Sequence, residues 1–229
     1  MSSADNVIPN KVFIGCPWRV VRPKFLKIVE KHEHSFPLYF VLIGRESDQS
    51  AEELLGLIKR NLLSSTAAIF DVTYGNPNVS LEYGIADASD IDKVLYLNVH
   101  KGNRTSSEDS SIIADLAGQK RKQYKNEQGL LRLLTDFAKE HSFTKRFENG
   151  LRKITKNMKT RHQKKRCRTL ALKVFRFLDA KDSVRRSDLV AHLQALAYSS
   201  KDIERVLKGL QQTDLIYISA GRYATVHVS

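Results

Sequence analysis

Hydrophobic and polar positions along the first 140 residues follow two alternating patterns. Short apolar runs rich in β-branched and aromatic residues are typical of buried strands, and apolar residues three and four apart are typical of amphipathic helices. The alternation predicts an α/β domain built on a doubly wound parallel sheet. Ser50 and Glu53 have the spacing of a capping box, which predicts a helix beginning at residue 51. Further helices are predicted after residue 23 and at 80–89 and 128–141, and strands at 11–15, 38–43, 67–72 and 94–99.

From residue 169 the pattern changes to three short amphipathic helices and two terminal strands. Ser187 is the predicted N-cap of the second of these helices, and Ala220-Gly221 is the predicted turn between the strands. Three helices followed by a hairpin are the element order of a winged helix-turn-helix domain. The sequence therefore predicts two domains, 10–141 and 169–229, joined by a basic linker helix at 142–168.

The net charge of +13 is concentrated in the second half of the chain. Between Thr144 and Thr169 many lysines and arginines are opposed only by Glu148. Such clustering predicts binding to the phosphate backbone of DNA or structured RNA, although a solvated linker or a protein-interaction module has the same appearance. Asp202 and Glu204 on the third helix disfavour sequence-specific readout. The residues predicted to contact nucleic acid are Lys159, Arg161, Lys164, Lys165, Arg166, Arg168, Arg185, Arg186, Lys201, Arg205, Lys208 and Arg222.

Several classes of protein are disfavoured by what the sequence lacks. Its longest apolar runs are far shorter than the ~20 residues that cross a bilayer, and its polar N-terminus does not resemble a secretory signal. A cytoplasmic protein without membrane contact is therefore expected. Cys16 and Cys167 are too distant in sequence to suggest a disulfide framework, and neither they nor His32 and His34 have metal-ligand spacing. We expect no metal and no cofactor, with a nucleotide serving as substrate.

The stretch from Asp71 to Ala88 carries the candidate chemistry. A predicted strand ends near Asp71, a Gly-Asn-Pro-Asn loop follows, and a predicted helix carries Glu82 in its first turns. Parallel sheets bind ligands at the edge where their strands end, so Glu82 is predicted to face that edge. A carboxylate there can stabilise or attack the cationic anomeric carbon that forms as an N-glycosidic bond breaks. The helix N-terminus is expected to favour the ionised form of Glu82.

Three groups of motifs resemble the nucleoside 2-deoxyribosyltransferase and bacterial TIR-like superfamily. They are Lys-Val-Phe-Ile-Gly at 11–15, then Ile-Phe-Asp, Asn-Pro-Asn-Val and Leu-Glu-Tyr-Gly-Ile-Ala between 69 and 86, and finally Ile-Ala-Asp-Leu-Ala-Gly and Tyr-Lys-Asn between 113 and 126. The resemblance implies a flavodoxin-like or TIR-like fold, with Glu82 as the catalytic residue. It also implies that Asp71 positions the sugar or the glutamate.

The same resemblance implies that the loop after the first strand lines the pocket. Trp18 either stacks on a base or only caps the sheet edge, Arg19 is a candidate for phosphate contact, and Cys16 is assigned no chemistry. Asn76 and Asn78 either bond sugar hydroxyls or only form the turn. The residues predicted to bind substrate are Gly15, Cys16, Trp18, Arg19, Asp71, Asn76 and Asn78.

These observations predict a hydrolase that cleaves the N-glycosidic bond of NAD or a related (deoxy)nucleotide. The Asn-Pro-Asn-Val motif is closer to TIR-like nucleotide hydrolases than to the transferases. Fusion to a winged helix resembles the effectors of bacterial retron anti-phage systems, which implies a defence toxin controlled by nucleic acid or a partner. The alternatives are a deoxyribosyltransferase, a nucleotide-sensing DNA-binding regulator without turnover, and an idle TIR-like scaffold that forms homo-oligomers or larger complexes.

Overall fold

A computed structural model describes residues 7–32, 35–44, 50–99, 119–179, 184–219 and 225–228. The chain divides into two compact units. The first, here called the sheet unit, comprises the chain up to His32 together with Phe40–Phe137. The second, here called the helical unit, comprises Glu33–Tyr39 and the chain from Ala138 onward.

The sheet unit alternates strands and helices along the chain. Its elements are β1 (Ile8–Gly15), α1 (Arg22–His32), β2 (Tyr39–Val41), α2 (Ala51–Leu63), β3 (Ser65–Asp71), α3 (Pro77–Ala88), β4 (Asp92–Asn98), β5 (Arg121–Tyr124) and α4 (Glu127–Glu140). The strands form one parallel sheet in the order β2-β1-β3-β4-β5. This confirms the predicted α/β class with a parallel sheet, and the strand order is one that doubly wound folds use.

The core of the sheet unit forms where α2 and α3 cover the central strands. Because β1 and β3 have neighbours on both sides, their segments 12–15 and 67–70 are apolar and buried, as strands covered on both faces require. The start of α2 is the predicted capping box: the Ser50 hydroxyl accepts from the Glu53 amide at 3.2 Å, and the Ser50 amide donates to the Glu53 carboxylate at 2.9 Å. The core cluster consists of Phe13, Leu62, Ala68, Phe70, Val72, Val79, Tyr83, Ala86 and Leu95.

Strand β5 was not indicated by the hydrophobic pattern. Its sequence, Arg-Lys-Gln-Tyr, is polar because the strand lies at the sheet edge and pairs only with β4, so that just Tyr124 is buried. At the opposite edge, β2 is shorter than the predicted 38–43. Helix α3 begins at Pro77, earlier than predicted, because Asn76 caps it and proline is well suited to a first helical position.

The helical unit contains four helices and a small sheet among its described residues. They are α5 (Ser142–Ile154), α6 (Arg161–Leu178), β6 (Val184–Arg185), α7 (Arg186–Ala195), α8 (Ser200–Gln211), β7 (Ile216–Ser219) and β8 (Thr225–Val228). The sheet is antiparallel in the order β6-β8-β7.

The segment 142–168, predicted as one basic linker helix, is folded differently. It consists of α5 and the first half of α6, which continues without a break past residue 168. Phe143 and Phe147 are buried and meet the Phe175 ring edge-on, with centroids 5.3 and 5.6 Å away. A basic exterior on α5 therefore conceals an apolar face that belongs to the core of the helical unit.

Two glycines let α5 pack closely in this unit. A Cβ atom at Gly150 would lie 2.8 Å from Leu215 Cδ1, and one at Gly209 on α8 would overlap the side chain of Ile154. Only a residue without a side chain permits such close helix packing without rearrangement.

The predicted N-cap of α7 is wrong. Arg185 occupies the N-cap position without a side-chain bond, and Ser187 lies inside the helix, where its hydroxyl bonds Asp188 at 3.1 Å. Strand β6, which pairs with β8, ends at Arg185, and α7 begins at the next residue, earlier than the local sequence suggests. His34, residues 113–118, the turn at 220–221 and Arg222 lie outside the described residues. Among the helices that are described, none is both long and apolar enough to cross a bilayer.

Candidate functional site

The carboxyl ends of β1 and β3 meet at the centre of the parallel sheet. Gly15 is paired with Phe70, so the next residues along each strand, Cys16 and Asp71, reach the same edge. After β1 the chain leads to β2 on one side of this pair, and after β3 it leads to β4 on the other. Diverging connections of this kind leave a crevice at the strand ends, which is where open α/β sheets bind ligands.

Glu82 lies directly against the end of β1. A Cβ atom at Gly15 would overlap Glu82 Oε2 and would lie 2.7 Å from the Phe70 ring. Only glycine at this position leaves room for the carboxyl group beside the strand. The structure therefore brings together Gly15 and Glu82, which are far apart in the sequence.

Burial raises the pKa of Glu82 to about 8. Burial therefore favours the protonated carboxyl, in the direction opposite to the expected effect of the helix N-terminus. Glu82 lies in the second turn of α3, whereas the field of a helix end is felt mainly within the first turn. Loss of hydration is the stronger effect at this position.

Asp71 is fully buried and its two carboxyl oxygens are engaged. Tyr124 donates its hydroxyl to Oδ2 at 2.7 Å, and the Thr73 amide donates to Oδ1 at 3.0 Å. The Thr73 hydroxyl in turn accepts from the Asn98 amide at 2.9 Å. Burial raises the pKa of Asp71, and the bonds from Thr73 and Tyr124 oppose that shift. Asp71 thus ties β3, β4 and β5 together at the edge that carries the site.

Cys16 is buried at the same end of the sheet, directly after β1. Burial raises the pKa of its thiol, the charges of Asp71 and Glu82 raise it further, and Arg22 lowers it. The thiol is therefore protonated at neutral pH and is not a nucleophile.

The two asparagines of the loop have different surroundings. Asn76 is the N-cap of α3, and its Oδ1 accepts from the amides of Asn78 at 3.0 Å and Val79 at 3.4 Å. Asn78 is exposed in the first turn. Tyr74 and Gly75 precede them with positive φ angles of 67° and 57°, which turn the chain sharply into the helix. Asn76 was predicted either to bond sugar hydroxyls or to form the turn. In the structure its side-chain oxygen accepts the two bonds that cap α3.

In the pocket loop, Trp18 is 41% exposed and Arg19 is exposed. The Trp18 indole N–H donates to the Ile43 carbonyl at 3.2 Å, and the Arg22 guanidinium lies 5.7 Å from the ring centroid. Sequence reasoning assigned no role to Arg22, which follows the loop as an ordinary basic residue of α1. Tyr124 was also missed, although it belongs to one of the quoted motifs.

The basic residues of the helical unit fall into two groups. In the first, arginines pair with acids: Arg168 with Glu148 at 3.0 Å, Arg166 and Arg205 with Asp202 at 3.8 and 3.9 Å, and Arg186 with Glu204. The second group is exposed to solvent and consists of Lys159, Arg161, Lys164, Lys165, Arg185, Lys201 and Lys208.

Two surfaces of the helical unit concentrate this charge. Lys201, Arg205 and Lys208 have the spacing of one face of α8. On α6, Arg166 lies 5.5 Å from the centroid of the Tyr198 ring, and both line a groove of about 420 Å³. The pairing of Asp202 and Glu204 with arginines also reduces the repulsion that these acids would exert on a phosphate.

No protein-family model and no curated protein matches this chain. Among solved structures, it is similar to a conserved protein from Enterococcus faecalis V583, with 16% identity and a TM-score of 0.36 over 56% of this chain and 98% of that one. A second similarity is to the Drosophila ORC bound to AT-rich DNA and Cdc6, with 10% identity and a TM-score of 0.27 over 96% of this chain and 81% of that one. At such TM-scores neither similarity carries an argument about function.

Proposed function

We propose that the sheet unit is an N-glycosidase that hydrolyses NAD or a related (deoxy)nucleotide, with Glu82 as its catalytic residue. The observation that carries the proposal is the carboxyl group of Glu82 lying against Gly15, at the strand ends where the connections diverge. A carboxyl group with a perturbed pKa in a crevice is a characteristic of catalytic sites. The resemblance of the surrounding motifs to the deoxyribosyltransferase and TIR-like superfamily adds support.

The reaction requires a negative charge beside the anomeric carbon. As the bond breaks, the base leaves with the bonding electron pair and the sugar becomes cationic, so an ionised Glu82 stabilises it electrostatically or by forming a bond. Water then bonds to the anomeric carbon, displacing the Glu82 carboxylate if a bond to it has formed, and its proton passes to the departed base or to solvent. The buried Phe70 ring lies at this end of β1, and Glu82 is partly desolvated there, which strengthens the attraction between the carboxylate and the sugar cation.

Substitution of Glu82 by glutamine tests the proposal directly, because it keeps the shape of the side chain and removes the charge. Base release from a panel of NAD, nucleotides and nucleosides, measured by mass spectrometry, should fall by at least about 10²- to 10³-fold. Glu52→Gln, at an exposed position of α2, is the matched control and should retain activity. Unchanged release by the Glu82 variant would show that this residue is not catalytic.

The pH dependence of kcat/KM distinguishes the two forms of Glu82. If the carboxylate is the active form, kcat/KM rises with pH up to about 8 and then levels off. We expect this profile in the wild-type protein. If Glu82 instead donated its proton to the departing base, kcat/KM would fall above the same pH.

For the helical unit we propose a winged helix-turn-helix domain that binds the backbone of DNA or structured RNA. The order of α6, α7, α8 and the antiparallel strands supports this assignment, as do the exposed cations of α8. Binding there would control the sheet unit, in keeping with the resemblance to anti-phage effector toxins. Measuring base release with and without a DNA duplex tests whether nucleic-acid binding regulates the sheet unit. An unchanged rate at saturating duplex contradicts it.

A nucleotide sensor without turnover is the second candidate. The observation that favours it is the raised pKa of Glu82, because a neutral carboxyl can hydrogen-bond a ligand without stabilising a cation. Prolonged incubation with a nucleotide that binds should then yield no free base. Detection of stoichiometric or greater base release would exclude this candidate.

A further inference from the structure

Arg22 is held in a defined position beside the crevice. It begins α1, immediately after the pocket loop, and its guanidinium lies 5.7 Å from the centroid of the Trp18 ring. Its Nη2 atom comes within 2.6 Å of the place that a Cβ atom at Gly44 would occupy. Contacts from two separate loops therefore fix a side chain that would otherwise be flexible.

One buried donor of Arg22, its Nε atom, has no hydrogen-bond partner among the described residues. Within the same part of the chain, no carboxylate pairs with the side chain. Buried polar groups are nearly always hydrogen-bonded, and those that are not call for a specific explanation. A guanidinium presents several N–H donors in a planar fork that suits the oxygens of a phosphate.

Arg22 lies near the proposed catalytic centre. The Arg22 amide donates to the carbonyl of Pro17 at 3.0 Å, so the start of α1 lies against the loop that follows Gly15, the residue that meets Glu82. Arg19, the arginine that the sequence favours for phosphate contact, is exposed. The half-buried Arg22 is better suited, because a fixed and partly desolvated donor binds an anion more strongly than a solvated one.

We infer that Arg22 binds a phosphate group of the substrate, so that the site selects phosphorylated nucleosides over free nucleosides. This inference rests on the proposed function, since that proposal places a nucleotide beside Glu82. It adds the substrate class: a nucleotide whose phosphate accepts hydrogen bonds from the Nε and Nη atoms of Arg22. Trp18, stacked on the guanidinium, acts as a positioning residue.

Calorimetric titration of the full chain tests the inference through binding alone. The wild-type protein should bind a nucleoside 5′-monophosphate about 10- to 100-fold more tightly than the matching nucleoside. In Arg22→Gln this preference should fall below about threefold, whereas Arg60→Gln, an exposed arginine of α2, should keep it. Equal affinities in the wild-type protein, or a preference retained by Arg22→Gln, would overturn the inference.

A second variant moves the guanidinium without removing its charge. The Cβ atom of Gly44→Ala would meet only the flexible end of the Arg22 side chain, so we expect the protein to fold with a near-native circular dichroism spectrum. Its preference for the monophosphate should still fall at least about fivefold, because the phosphate oxygens lose their alignment with the donors. A full preference in this folded variant would count against the inference.

Titration with NAD distinguishes the source of the phosphate. If Arg22→Gln weakens the binding of NAD and of the monophosphate alike, the site accepts a bridging diphosphate. If the substitution weakens only the binding of the monophosphate, the site requires a terminal phosphate. Both results support phosphate binding by Arg22. Base release is measured separately: phosphate-dependent binding without product overturns the proposed hydrolysis alone, and equal turnover of nucleoside and nucleotide overturns the Arg22 inference alone.

Discussion

The sheet unit and the helical unit treat their acidic side chains in opposite ways. In the sheet unit, Asp71 and Glu82 are withdrawn from water at the ends of the central strands, and burial raises the pKa of each. In the helical unit, Glu148, Asp202 and Glu204 each lie beside an arginine near the surface. Buried acids with raised pKa values fit the proposed catalytic role of the sheet unit, whereas acids paired with arginines beside exposed cations fit the proposed binding of nucleic acid by the helical unit.

Glycine shows the same contrast between the two units. Gly15 makes room for a carboxyl group at the edge of the sheet, and Gly209 makes room for the apolar side chain of Ile154 inside a helix pair. The first close approach serves a candidate active site and the second serves packing. The variants Gly15→Ala and Gly209→Ala therefore compare the effect of an added methyl group on base release with its effect on the free energy of unfolding.

The largest expected effect is on catalysis by Gly15→Ala. Because the new methyl group overlaps the Glu82 carboxyl, base release should fall by about 100-fold or more. Gly209→Ala should leave base release unchanged and lower the free energy of unfolding by about 1–3 kcal/mol. Mass spectrometry measures the first effect and chemical denaturation followed by circular dichroism measures the second. Similar losses of activity in both variants would contradict the contrast.

A moderate effect is expected on nucleic-acid binding when the cationic face of α8 is neutralised. Changing Lys201, Arg205 and Lys208 together to glutamine should weaken binding to a DNA duplex about 10- to 100-fold at low salt. The slope of log affinity against log salt concentration should decrease by up to about 3. Fluorescence anisotropy measures both. Lys59→Gln with Arg60→Gln on α2 is the control, and an equal loss in that variant would show that the effect is not local.

The smallest expected effect is on the stability of Glu82→Gln as a function of pH. The pKa of Glu82 is about 8 in the folded protein and near 4.5 when exposed, so between these values the folded state binds more protons than the unfolded state. Wild-type stability therefore decreases as pH rises through this range. The variant has no carboxyl group to ionise at this position. Its free energy of unfolding should therefore exceed that of the wild type by about 1–3 kcal/mol above pH 8, and should show no gain below pH 4.5.

Thermal melts at several pH values measure this difference. Trp18 is the only tryptophan and belongs to the sheet unit, so its fluorescence reports the unfolding of that unit. Equal pH dependence in the two proteins would mean that Glu82 titrates normally in the folded state.

Sequence periodicity located most helices and strands, and it failed where tertiary contacts decide. The polar strand β5 pairs on one side only, so a single buried residue, Tyr124, suffices for it. The segment that forms helix α5 was predicted to be a linker because its many basic residues are typical of a solvated segment, although Phe143 and Phe147 are buried. For α7, pairing between β6 and β8 sets the start of the helix, and the local cap signal of Ser187 does not.

For the candidate site, the sequence by itself determined the residue types and the strand–loop–helix order around Asp71 and Glu82, because both follow from local pattern. Only the tertiary structure decided that Glu82 meets Gly15, that Tyr124 bonds Asp71, and that the Arg22 side chain lies against Gly44. It also decided the raised pKa of Glu82. Contacts between residues distant in the sequence, and the hydration that a side chain loses on burial, depend on how the elements pack, which no local pattern records.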